Sequence, residues 1–223
     1  DMTVGTPWKC ILSFTLPMLI GNIAQQLYNT ADSIIVGKFV GDNALSAVGS
    51  AMPIMNLLLA LFVGISTGAG IVISQYFGAR DRQGLTSSIG NCITLAAIAT
   101  GVIMIIGPII TGPFLDLLGT PLSIKGWCQN YLTIFFVGIA GFFFYNMLSG
   151  VLRGLGDSFS ALGFLLISAA LNVGLDLLFV ASFGMGVPGV ALATVISQGI
   201  SAVLVVIALM KRKDACKLCF RWN

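Results

Sequence analysis

Asn22-Ile23-Ala24-Gln25-Gln26-Leu27-Tyr28-Asn29-Thr30-Ala31-Asp32-Ser33 is the stretch on which the reading of this chain turns. It lies inside an apolar run from Ile11 to Val36. A helix needs roughly 20 mostly apolar residues to cross a bilayer. Asn22, Gln25, Asn29 and Asp32 recur at steps of three and four, so a helix sets them on one face. An acid at bilayer depth costs on the order of 2.5–3.5 kcal/mol on insertion scales, which makes it a candidate functional residue by default. The rest of the chain must then supply Asp32 with a partner and a cavity.

Composition sets the class. Hydrophobic residues make up 57% of the chain and charged ones 9%, with a mean hydropathy of +1.00. About a quarter of the residues of a soluble domain are charged, so a soluble domain is excluded and a polytopic membrane protein is indicated. The 27 glycines suit close helix contacts in lipid. Short alternating segments of the transmembrane-strand kind are absent. With no histidine, imidazole can be neither proton carrier nor metal ligand; all eight acids are aspartates. Cys10, Cys92, Cys128, Cys216 and Cys219 are scattered and read as small hydrophobes, with no disulfide framework. The first residue is Asp1, which suggests a processed or trimmed chain, and the first apolar segment is too long and too polar for a cleaved signal peptide.

Six apolar segments are predicted as membrane helices, at about 10–37, 44–77, 85–118, 122–151, 159–182 and 187–210. The turns between them are short and rich in glycine or charge, so neighbouring helices run antiparallel. Residues 1–210 thus read as one all-α, six-helix membrane bundle, and 211–223 as a basic tail. Numbered by alternation, Lys9, Arg80, Arg82, Arg153, Lys211, Arg212, Lys213, Lys217 and Arg221 share one side, against Lys38 and Lys125 on the other. That asymmetry makes the first side cytoplasmic. The expected placement is a multi-pass protein of the plasma (inner) membrane with both termini inside. The tail, with Phe220 and Trp222, is expected to anchor at headgroups.

An audit of the acids narrows the site. Asp1, Asp42, Asp81, Asp157 and Asp214 fall in loops or tails, and Asp116 at the outer end of the third segment. Only Asp32 and Asp176 lie well within spans. Counting at 1.5 Å per residue puts both roughly 10 Å inside the outer boundary. Asn172 precedes Asp176 by one helical turn, and Thr194 enters on the sixth segment at similar depth, with Gln198 and Ser201 continuing its face inward. These are carboxylate, amide and hydroxyl oxygens with no soft ligand, which suits a proton or a hard cation such as Na⁺. The competing reading of Asp32 and Asp176 is a helix–helix hydrogen bond made by a protonated acid, and polar helix-joining contacts compete for Asn172 and Thr194. Gln25, Tyr28, Asn29 and Gln198 read as cavity lining. Pro17, followed by Gly21, bends the first helix either as a static kink or as a hinge. Pro53, Gly64, Gly68 and Gly70 in the second segment read as packing devices.

Three apparent motifs carry little. Gly154-Leu155-Gly156-Asp157 fits the pattern of intramembrane aspartyl proteases, but Asp157 follows Arg153 in a cytoplasmic turn, far in depth from Asp32. Cys216-Lys217-Leu218-Cys219 is a single pair and makes no zinc site. The glycine-rich stretches lack the Gly-Lys-Ser/Thr of a nucleotide-binding loop, so any transport runs on an ion gradient or downhill.

At this point the chain resembles the N-terminal half of a multidrug and toxic compound extrusion (MATE) transporter of prokaryotic type. The resemblance rests on Leu16-Pro17, Gln25 to Asp32, Val40 to Gly49, Gly78-Ala79-Arg80-Asp81, Leu152 to Ser158, and Asn172-Val173-Gly174-Leu175-Asp176. It implies one lobe of a twelve-helix antiporter that exports amphipathic, often cationic compounds against Na⁺ or H⁺, with no enzymatic step, no cofactor and no nucleic-acid partner. It also implies a cation site on Asp32, Asn172, Asp176 and Thr194. Only six segments are present, so a C-terminal six-helix lobe is expected as partner, with 211–223 as the start of the linker; pairing of two copies is the other arrangement. A lipid-linked oligosaccharide flippase of related architecture is the nearest rival, although a lipid phosphate would want cavity-facing Arg or Lys.

Overall fold

The computed structural model describes residues 6–211; the tail from 212 to 223, with its cysteine pair, lies outside them. The chain folds as α1 (Pro7–Phe39), α2 (Asp42–Gly78), α3 (Arg82–Leu117), α4 (Leu122–Val137), α5 (Ile139–Gly154), α6 (Ser158–Asp176), a wide π turn (Leu177–Ser182) and α7 (Val187–Lys211). No strand occurs among the described residues.

The sequence explains most of the boundaries. Pro7 occupies the first turn of α1, where a missing N–H costs nothing. Asp81 caps α3 by accepting from the Gly84 amide at 3.0 Å, and Asp157 caps α6 by accepting from the Ser160 amide at 2.9 Å. α1 passes through Pro17 unbroken.

Two predicted segments are not single α-helices. The segment expected at 122–151 is α4 and α5, meeting at Gly138 with a 53° bend. Packing accounts for the break. A Cβ on Gly138 would lie 2.2 Å from Val195 Cγ1 on α7, so α7 presses on the joint itself. The segment expected at 159–182 changes from α to π bonding directly after Asp176. Such local widening is often found at functional positions.

Among the described residues, four helices are long and apolar enough to cross a membrane, and five if α4–α5 counts as one span. At 33 residues α1 is long enough. It carries the apolar run from Ile11 to Val36, which the polar stripe interrupts.

α5 forms the centre of the bundle, packed against α2, α3 and α7, while α1 lies against α6 and α2. An aromatic knot joins α2, α4 and α5. Phe62 and Phe143 sit 4.3 Å apart between ring centres, and Phe142 faces both Phe62 and Phe135. Two glycines of α5 permit the α2–α5 crossing: a Cβ on Gly150 would meet Ser66 Oγ at 2.3 Å and the Ser66 carbonyl at 2.6 Å, and one on Gly154 would meet the Gly70 carbonyl at 2.6 Å. In this crossing Ser66 Oγ donates to the Asn146 carbonyl at 2.6 Å. Gly70 backs onto Gly150, but Gly64 and Gly68 face open space, so only one of the three predicted packing glycines packs within the bundle. The outward surface is apolar, with Leu57, Ile105 and Ile109 more than 60% exposed. An apolar surface of this extent needs a cover, and acyl chains supply one.

Candidate cation site

The site assembles where three helices meet at the end of the bundle bearing Lys38 and Lys125. Asp32 sits two turns before the end of α1, Asp176 at the α6–π junction, and Thr194 two turns into α7. The short turn at Phe183–Gly186 folds α7 back along α6, so Asn172 and Thr194 face each other. Asn172 Nδ2 donates to Thr194 Oγ1 at 3.3 Å, and Thr194 Oγ1 donates to the Val190 carbonyl at 3.1 Å.

The Asp32 and Asp176 carboxyls are close enough to interact directly, with no hydrogen bond formed between them. Asp176 is fully buried, and Asn172 and Thr194 nearly so. The Tyr28 hydroxyl reaches Thr194, and the Tyr28 and Tyr131 rings stand beside both acids. No described Lys or Arg shares the cluster. Lys125 pairs instead with Asp116 at the surface.

What the acids lack is as informative as what they touch. Asp32 Oδ1, both Asp176 oxygens and Asn172 Oδ1 are buried with no hydrogen-bond donor among the described groups. An unsatisfied buried acceptor is costly, and two neighbouring carboxylates repel. A shared proton removes the repulsion and creates a donor. A hard cation does the same by accepting several oxygens at once. The donor set therefore fits Na⁺ or H⁺, and its lack of nitrogen and sulfur ligands does not fit a transition metal.

Each residue singled out in the sequence can now be placed. The four candidate ligands, Asp32, Asn172, Asp176 and Thr194, converge. Tyr28, read as cavity lining, stands within this cluster. Gln25 and Asn29 are half-buried on α1, on the side of Asp32 toward the opposite end of the bundle, while Asn22 is exposed. Gln198 is buried one turn beyond Thr194. Pro17 is buried near the far end of α1. Sequence reasoning missed Tyr131, because it lies in a segment with no deep acid to draw attention. Its distance from the start of α4, close to that of Asp32 from the end of α1, was the available signal. Asp157, in the protease-like pattern, spends its carboxylate on the α6 cap and on Ser160 Oγ at 2.6 Å.

This architecture has close counterparts. YpnP of Bacillus subtilis, named as a probable multidrug resistance protein, is 33% identical over 96% of this chain and 48% of its own length. YoeA of the same organism, named likewise, is 32% identical over 92% of this chain and 45% of its own. A crystal structure of a MATE protein in a bent conformation superimposes with a TM-score of 0.89 at 29% identity, over 98% of this chain and 50% of that one. The chain thus spans about half the length of the curated relatives it matches. The MatE family model matches residues 17–178, a stretch that carries both embedded acids and most of the bundle that brings them together, and the chain belongs to that family.

Proposed function

We propose that this chain forms one lobe of a cation-coupled exporter of amphipathic compounds. The observation that carries the proposal is the Asp32–Asp176 pair, whose buried oxygens have no donor and no neighbouring cationic side chain. The relatives named as multidrug resistance proteins support the substrate class, and their length supports a second six-helix lobe as partner. The charge asymmetry supports an orientation with the Arg80, Arg82 and Arg153 end in the cytoplasm.

The cycle follows from electrostatics. With the site open outward, Na⁺ or H⁺ enters and neutralises the pair. Repulsion between the carboxyls is then gone, and α1 repacks against α6, with Pro17 as the hinge. Repacking changes the wall formed by Gln25, Tyr28, Asn29 and Gln198, and an amphipathic substrate held there is released. Rocking of the two lobes resets the site, as alternating access requires. A differential affinity of the cation for the two states drives the change. A flippase reading is disfavoured, since no described Lys or Arg faces the cluster. The test is drug resistance of cells expressing the complete transporter. Asp32→Asn or Asp176→Asn is expected to abolish resistance while the protein still reaches the membrane. Full resistance with either variant would overturn the proposal.

A further inference from the structure

Beyond the carboxyl pair, α7 carries a second set of polar groups, of which the cycle above uses only Gln198. Gln198 is 4% exposed and Ser201 fully buried. Gln198 Oε1 and Ser201 Oγ have no hydrogen-bond partner among the described groups. Ser168 on α6 is 1% exposed and its hydroxyl is likewise unpartnered. Neighbouring hydroxyls on the same helix behave differently. Thr194 and Ser197 turn back onto their own helix carbonyls, at 3.1 and 3.0 Å. Ser168 and Ser201 do not.

Helix register sets these groups in a row. Asn172 faces Thr194 across antiparallel α6 and α7, so one turn further Ser168 stands opposite Gln198. α5 runs parallel to α7. A Cβ on Gly141 would lie 2.7 Å from the Gly199 backbone, and Tyr145 and Ala202 share the apolar cluster at the next turn. Counted in parallel from that contact, Ser201 lies within about 3 Å of the level of Tyr145 along the bundle. One more turn along α5 is Ser149, 3% exposed, whose hydroxyl lies beside that of Tyr145 without meeting strict hydrogen-bond geometry toward any group. Arg153, half-buried and near Tyr145, closes the row at the end of α5. Apart from the adjoining Tyr145 and Ser149 hydroxyls, successive levels of the row are about one helical pitch, roughly 5.4 Å, apart. That is too far for direct bonds and suits one bridging water between each pair. Buried polar groups in native proteins are partnered by protein or by ordered water.

We propose that a single file of buried waters, held by Ser168, Gln198, Ser201, Tyr145 and Ser149, joins the Asp32–Asp176 pair to the Arg153 end and is the inward exit of the coupling cation. The file rests on the cation-coupled reading of the pair. It runs the ion's path inside this lobe, meeting the wall of the exported compound only at Gln198. The charged and titratable groups facing it are Asp176 at one end and Tyr145 and Arg153 at the other.

Two measurements on the complete transporter test this. The first is radiolytic labelling in ¹⁸O-water read by mass spectrometry. Residues 142–149 and 198–205 are expected to take up ¹⁸O well above the lipid-facing Leu57, and Ser201→Val is expected to remove that uptake. Uptake no greater than at Leu57 would overturn the water file, whatever the fate of the acids. The second is Na⁺ and H⁺ flux in proteoliposomes. Ser168→Val and Ser201→Val are expected to slow the coupled flux about tenfold, with the equilibrium affinity for the exported compound unchanged and Ser201→Ala intermediate. Unchanged flux in both valine variants, beside loss in Asp32→Asn, would overturn the exit while keeping the site. Unchanged flux in Asp32→Asn would instead overturn the site reading on which the exit rests.

Discussion

Asp176 is the residue with the least freedom in this molecule. It is fully buried, both its oxygens lack a donor, and its helix changes pitch directly after it. Asp32 can reach it because α1 lies along α6. Tyr131 completes the wall from α4. Tyr131→Phe keeps the ring and deletes only the hydroxyl. It is expected to raise the cation concentration for half-maximal flux several-fold, equivalent to about 1 kcal/mol for one hydrogen-bonding group. Thr194→Val is expected to act in the same direction and more strongly, because it strips partners from Asn172 and Tyr28 together. Cation titration of flux in proteoliposomes measures both. The acids and the amide were legible in the sequence because deep polar residues are few and each demands a reason. The tyrosines were less so, since a phenol in an apolar segment is ordinarily packing.

At the scale of helices, glycines divide into those that hold the bundle and those that do not. A Cβ on Gly138 collides with Val195, and one on Gly150 collides with the Ser66 backbone. Gly138→Val and Gly150→Ala are each expected to cost about 1–3 kcal/mol of stability. Gly64→Ala and Gly68→Ala face open space in this bundle, and are expected to stay within about 1 kcal/mol of the parent. Thermal melting in detergent separates the two groups. Asp157→Ala removes the α6 cap. It is expected to lower stability by about 1 kcal/mol and leave transport intact; loss of transport at parental stability would show that Asp157 does more than cap. The bend at Gly138 was invisible in the sequence for a physical reason. Nothing local in Phe136-Val137-Gly138-Ile139 stops a helix, and the break is imposed by Val195, which is 57 positions distant in the chain. The starts of α1, α3 and α6, by contrast, are set locally by Pro7, Asp81 and Asp157.

For the molecule as a whole, α1, α6 and α7 build the cluster toward the end that bears Lys38 and Lys125, and the opposite end carries the arginines. An impermeant thiol reagent applied to intact cells checks this polarity. In a background with the native cysteines replaced, Asn43→Cys is expected to label and Gln83→Cys to remain protected. The reverse pattern would invert the membrane orientation and with it the direction of coupling. Class was legible from hydropathy and charge, because lipid imposes those on every span. The π turn and the row of unpartnered groups on α5, α6 and α7 were not, because they arise only when helices are placed side by side.

The central claim is that the Asp32–Asp176 pair couples a cation to export. The most direct measurement places the complete transporter in proteoliposomes and follows ²²Na⁺ and H⁺ movement together with efflux of a cationic dye. An imposed cation gradient is expected to drive dye movement in the parent protein, and both movements are expected to vanish in Asp32→Asn and in Asp176→Asn at normal protein insertion. Dye export that persists in either variant with an unchanged dependence on the gradient would contradict the claim.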